Sequence, residues 1–328
     1  MKRFILLCLI FPCISVCANE ITEDYFDIAT NYCIYGKYTD ALNYTNKILQ
    51  IEPYNQDAKD LKNTLLRITN PNIDSYLTST NPNLYNAFKY KKNGNRKMFI
   101  QTLEQGNDYW SNYFLAEYYS ENSNFLKAEE YYKRAIMLKP NHSQSYLGLG
   151  KCYIELNDWQ KAVDTLTKYL EFNKNSDIAF ALRAQAYMNM NYLNDAQNDI
   201  QRALAVEQNI SYLLLEAKIL YYSGNYDEAR AKFNIISRMV QTSEVYKYIG
   251  LCDWAQHDYN NAFLNLDKAI ILSDDDKNLY STYNTVKNIL INEKTQEKTA
   301  QSSGQLLEIS RIICTITIGF LFREYCKE

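Results

Sequence analysis

Residues 108–141 read DYWSNYFLAEYYSENSNFLKAEEYYKRAIMLKPN. Ala128 stands near the middle, with Phe125 three residues before it and Tyr132 four after it. On a helix these three share one stripe, because positions three and four apart lie on the same face. Ala116, twelve residues before Ala128, is small enough to let a second helix approach closely. Ser123 separates the two apolar stretches, and Pro140 cannot continue a helix. The stretch therefore reads as two helices and two turns.

The same company recurs down the chain. Ala162, Ala196, Ala229 and Ala262 follow Ala128 at intervals of 34, 34, 33 and 33 residues. Trp159, Leu193, Tyr226 and Tyr259 take the place of Phe125, and Leu166, Ile200, Phe233 and Leu266 that of Tyr132. Gly150, Ala184, Ala217 and Gly250 repeat the small residue at Ala116. Five residues before each alanine come Ser123, Asn157, Asn191, Gly224 and His257. Gly and Asn tolerate the left-handed backbone that commonly ends a helix. A fixed period of this length marks stacked repeats, in which each helix pair buries its apolar face against the next.

This pattern resembles the tetratricopeptide repeat. In residues 108–141 the family's positions fall at Leu115, Ala116, Tyr119, Phe125, Ala128, Tyr132, Ala135 and Pro140. Five consecutive units run over 109–276. An outlying unit over 22–55 carries Ala29, Tyr32, Gly36, Tyr38, Ala41, Ile48 and Pro53 at matching intervals. The resemblance implies an all-α fold, a right-handed α-solenoid of stacked helix-turn-helix units. Residues 56–108 keep the period poorly. They read as one helix from Ala58 to Ile68 and then either an irregular joint or a degenerate repeat around Gly94, and the second reading is favoured. Leu279, Tyr283, Val286 and Leu290 form a further helical stripe, so 277–292 is expected to cap the array. A polar linker over 293–304 and an apolar tail over 305–328 follow.

Bulk composition narrows the function. The 35 basic and 38 acidic residues give a net charge of −3, without the basic footprint of a nucleic-acid binder. Thirty tyrosines against nine glycines suit helices whose rings pack while their hydroxyls reach water. Lys2 and Arg3, the apolar run Phe4 to Ile14 and the small-residue site Val16-Cys17-Ala18 read as a secretory signal over 1–18. The expectation is an exported bacterial protein, periplasmic or associated with the cell envelope. Two routes to a membrane are also legible. Ile14-Ser15-Val16-Cys17 loosely resembles a lipoprotein box that would lipidate Cys17, although Val16 is large for it. In the tail, Ile312 to Phe322 is apolar for 11 residues, about half a membrane span.

Catalytic signals are sparse. Cys33, Cys152, Cys252, Cys314 and Cys326 are widely spaced, with no paired metal motif, and read as small buried hydrophobes. His142 and His257 lie in an inter-repeat link and a turn, with no partner constellation for acid–base work. Gly148-Leu149-Gly150-Lys151 looks like a phosphate loop. A P-loop would need glycine at Ser145 and a hydroxyl residue at Cys152, so the stretch reads as a packing seam. Asp274, Asp275 and Asp276 lack the glycine and distal glutamate of a calcium loop. No cofactor, metal or enzymatic activity is expected.

Binding is the better expectation. In the resembled family the first helices of successive repeats line a concave groove. Carried onto this chain, its contact positions are Trp110, Tyr113 and Glu117 in the first of the five units, then Gln144, Leu147 and Lys151. Gln185 and Asn189 follow, then Lys218 and Tyr222, and last Lys247 and Trp254. The resemblance thus implies a non-catalytic scaffold that binds a protein or peptide partner.

Overall fold

In the computed structural model, which describes residues 21–22, 24–70, 81–273, 277–296 and 308, every regular element is an α-helix. The signal segment, Cys17, Asp274–Asp276 and nearly all of the apolar tail lie outside the described residues. Contacts divide the chain into two compact units, Met1–Gln208 and Asn209–Glu328. The division falls inside the run of five repeats. A period records how much chain each helix pair uses and is silent on where contacts thin out.

The first unit begins with α1 (24–34), α2 (Tyr38–Ile51) and α3 (Gln56–Thr69). After it come the pairs α4 (Pro82–Lys92) and α5 (Arg96–Glu104), α6 (Tyr109–Glu121) and α7 (Phe125–Leu138). The pairs α8 (Ser143–Glu155) and α9 (Trp159–Phe172), α10 (Asp177–Asn189) and α11 (Leu193–Val206) complete it. The second unit holds α12 (Ile210–Tyr222), α13 (Tyr226–Met239), α14 (Ser243–Ala255), α15 (Tyr259–Ile271) and α16 (277–296).

The turn inside each pair has one design. Gly36, Gly94, Ser123, Asn157, Asn191, Gly224 and His257 all have positive φ, between 56° and 79°. In each turn the residue after the left-handed one donates its N–H back to a carbonyl five residues earlier, as Lys37 does to Tyr32 and Asn124 to Tyr119, both at 2.8 Å. This bond satisfies a carbonyl that the helix end leaves orphaned. Ser123 is exposed and pays the left-handed strain of a residue with a Cβ. Ser123→Gly is therefore expected to stabilise the first unit by about 0.5–1 kcal/mol, read as a raised urea midpoint, whereas Ser123→Val should lower it.

Packing explains the period. Ala128, Ala162, Ala196, Ala229 and Ala262 are fully buried. So are their small counterparts Ala116, Ala184 and Ala217. Where glycine stands instead, the facing helix has used the space. A Cβ on Gly150 would lie 2.7 Å from Leu166, and one on Gly250 would lie 2.8 Å from Leu266. Gly148 is tighter still, its Cβ falling 2.3 Å from the Tyr132 ring. That ring is buried and its hydroxyl donates to Glu117, so it cannot swing aside cheaply. Gly148→Val should cost about 1–3 kcal/mol by overpacking, measured as a fall in denaturant midpoint. Both glycines thus lie within α8, in a helical seam.

α16 places Leu279, Val286 and Leu290 against Ala262, Leu266 and Ala269 of α15. Tyr283 stacks on Phe263 at 5.0 Å. The helix continues to residue 296, four residues into the stretch expected to be linker.

Candidate interaction grooves

In the first unit α6, α8 and α10 carry the expected contact positions, and α1 changes their standing. Its stripe Phe26, Ala29, Thr30, Cys33 and Ile34 is buried, following the three-and-four spacing of one helical face. The Phe26 ring lies 6.4 Å from that of Trp110 and 6.3 Å from that of His142. Thr30 hydrogen-bonds Tyr113, and Tyr35, just past the helix, hydrogen-bonds Glu121. Residues 26, 30 and 35 thus meet 110, 113 and 121 in the same order, so α1 runs alongside α6. On its other side Tyr25 and Tyr32 pack against Tyr44 of α2.

The first four expected contact residues with apolar or amide side chains are therefore not open surface. Trp110 and Tyr113 are buried with α1 beside them, and Gln144 is buried too. Leu147 is taken up by the seam with Leu166, Tyr169 and Ala179. Glu117 is half-buried, accepting from the Tyr132 hydroxyl. Burial raises its carboxyl pKa, while that bond and the nearby Lys151 ammonium oppose the shift. Lys151 and Asn189 are exposed and Gln185 is half-buried. The Asn189 amide donates to the Gln185 carbonyl.

His142 belongs to the same nest. It sits just before α8 with Nδ1 2.6 Å from the Tyr109 hydroxyl. Phe26, Tyr109, Trp110 and Tyr113 surround its ring. Burial first, and the Lys139 charge second, lower its pKa from 6.5 to about 3, so the imidazole is neutral. The chain's position there showed only a link residue, because the four rings come from α1 and α6.

The second unit presents its first helices differently. Lys218 of α12 pairs with Glu244 of α14, and its ammonium lies 5.6 Å from the Tyr248 ring. The Tyr222 and Tyr248 hydroxyls are 3.1 Å apart, and Tyr222 remains 52% exposed. Lys247 and Trp254 are half-buried along the same helix as Glu244. The surface is amphipathic: aromatic rings beside a neutralised ion pair. Lys218 and Tyr222 share a face with Glu244 and Tyr248, which the repeat positions had not brought together for Tyr248.

Among the described residues no group of three or more His, Cys, Asp or Glu could hold a metal ion. Cys33, Cys152 and Cys252 are free and buried. Burial pushes the Cys152 and Cys252 thiols up to about 12, which removes them as nucleophiles at neutral pH.

Residues 120–186, covering the end of α6 through most of α10, match the family model for the tetratricopeptide repeat. Over those residues the chain carries tetratricopeptide repeats. Repeats of this family generally serve as non-catalytic scaffolds for protein–protein interaction. The chain is similar in fold to the crystal structure of the APC/C hetero-tetramer Cut9–Hcn1, with a TM-score of 0.54 at 17% identity, over 76% of this chain and 52% of that one. A tetratricopeptide repeat protein from Parabacteroides merdae gives a TM-score of 0.46 at 16% identity, over 81% of this chain and 99% of that one. By sequence it is 23% identical to the BBSome complex member BBS4 of Bos taurus over 151 residues, which is 45% of this chain. That match spans only 29% of the relative's length.

Proposed function

We propose that this tetratricopeptide-repeat protein is an exported envelope scaffold that holds a segment of a partner protein on the first helices of its repeats. The observation that carries the reading is the α12–α14 surface, where exposed Tyr222 stands beside Tyr248 and the Lys218–Glu244 pair. Tyrosine and tryptophan supply much of the energy of protein interfaces, because they bury large area and keep a polar tip. The preformed helices lower the ordering cost of binding. Export rests on the N-terminal signal pattern.

A site-specific photocrosslinker tests the surface in the native cell. Placed at Tyr222 it should yield a discrete protein adduct, and placed at exposed Leu264 of α15 it should not. Adducts from Leu264 alone would overturn the assignment. Mass measurement of the mature N-terminus tests export, with Asn19 expected as the first residue.

The apolar run Ile312 to Phe322 supports a second reading, in which the scaffold is membrane-attached and serves envelope assembly or secretion. Among the described residues no helix is long and apolar enough to cross a membrane, so attachment would rest on the tail or on lipid at Cys17. Removing residues 305–328 should then release the chain from the membrane fraction, and unchanged partitioning would remove the tail as an anchor.

A further inference from the structure

The first-helix groove of the first unit already holds a helix, and that helix is the chain's own α1. We propose that α1 is a resident ligand there, and that a partner helix bearing the same face enters by replacing it. This deepens the groove reading above and rests on it for the first unit only.

The contacts define what such a partner must carry. An aromatic residue corresponding to Phe26 fills the space beside Trp110 and His142. A small residue follows three positions later, as at fully buried Ala29. A hydroxyl one residue beyond meets Tyr113, as Thr30 does. A second small residue, corresponding to Cys33, lies seven positions after the aromatic, where Cys33 is fully buried near Tyr38 and Lys91. The partner is thus an amphipathic helix of about three turns, uncharged at the position of Phe26, since a charge beside the Trp110 and His142 rings would be desolvated without a counter-ion.

α1 is suited to exchange for two reasons. A helix of about three turns is too short to be stable alone in water, so its order depends on the surfaces it touches. Its polar contacts with α6 include the Thr30 hydroxyl and the Tyr35–Glu121 bond, and Tyr35 itself is 69% exposed. By contrast α2 and α3 have their own anchors, the Tyr38 hydroxyl donating to the Phe88 carbonyl and Lys139 pairing with Asp57. Loss of α1 from the groove therefore leaves the rest of the N-terminal region attached. A resident helix of this kind makes partner affinity the difference between two similar helices, so the apparent affinity of the partner falls by the fraction of time the groove is vacant.

The probe is a fluorescein-labelled peptide with the sequence of residues 21–36, titrated into the intact chain and followed by fluorescence anisotropy. Phe26→Asp in the protein weakens the resident and should tighten peptide binding at least tenfold over wild type. Adding Trp110→Ala to Phe26→Asp should abolish the gain, and a peptide carrying its own Phe26→Asp should bind neither protein. A Phe26→Asp chain that keeps its helical circular dichroism yet takes up no peptide overturns the proposal. Should that variant fail to fold, amide hydrogen exchange on the wild type decides. α1 should exchange at least tenfold faster than α6, and equal protection would show a permanent structural helix. Tyr222 crosslinking separates the two ideas, because it reports on the second unit and is indifferent to α1.

Discussion

Arg183→Leu is expected to destabilise the first unit by about 3–5 kcal/mol. The guanidinium of Arg183 on α10 donates from Nε to Asp199 Oδ2 at 2.6 Å and from Nη2 to Oδ1 at 2.9 Å. A third donor reaches the Thr167 hydroxyl of α9 at 2.9 Å, so one side chain ties three helices. Asp199 is buried, and removing its cation strands a carboxylate away from water. The next repeat carries the same pair with the charges exchanged: Glu216 and Lys232, each 33 residues further on, meet at 2.8 Å. The double variant Arg183→Glu with Asp199→Lys should therefore recover at least half of what either single change loses. Urea unfolding of the four proteins checks this, and a single-variant cost below about 1 kcal/mol would show a solvent-screened pair instead.

A second large effect follows from His142. The folded chain keeps the imidazole neutral down to about pH 3, whereas the unfolded chain takes up a proton near 6.5. Between these values the unfolded state binds more protons, so stability falls as pH falls. The slope is about 1.4 kcal/mol per pH unit, reaching about 4 kcal/mol by pH 3. Glu117 pulls the other way, because its raised carboxyl pKa lets the folded state take a proton earlier. Comparison with His142→Phe isolates the histidine. The variant should lose the extra acid sensitivity in denaturant titrations followed by tryptophan fluorescence at pH 7, 5.5 and 4. An unchanged slope would place water or a counter-charge at the ring.

The repeat frame was legible because it rests on spacing alone. Ala128 and its successors sit where the period puts them, fully buried. The turn residues Ser123, Asn157, Asn191, Gly224 and His257 all adopt the left-handed backbone expected of that position. The covered groove was not legible in the same way, since α1 and α6 lie some 85 residues apart in sequence and no local rule joins them. A weaker signal was present. Six of the eight residues from Tyr109 to Ala116 are apolar or aromatic and they fall on both sides of the helix, more than one neighbour can cover. α1 gave a matching hint. Its apolar and aromatic residues, from Tyr25 and Tyr32 round to Phe26, Ala29 and Ile34, cover more arc than one neighbour can use. Family positions had assigned Trp110 and Tyr113 to a partner from outside; the partner in place is the chain's own first helix.

The three thiols buried among the described residues have a use of their own. Cys33 lies in α1 and Cys152 in α8, both in the first unit, while Cys252 lies in α14 of the second. Each reacts with an alkylating reagent only when its surroundings open, so the chain carries internal clocks at three depths. Peptide-resolved labelling under native conditions would time the exposure of α1, the repeat seam and the second unit separately, with no engineered probe. A Cys33 that opens on its own schedule, ahead of Cys152, would give the first helix a lifetime distinct from that of the scaffold beneath it.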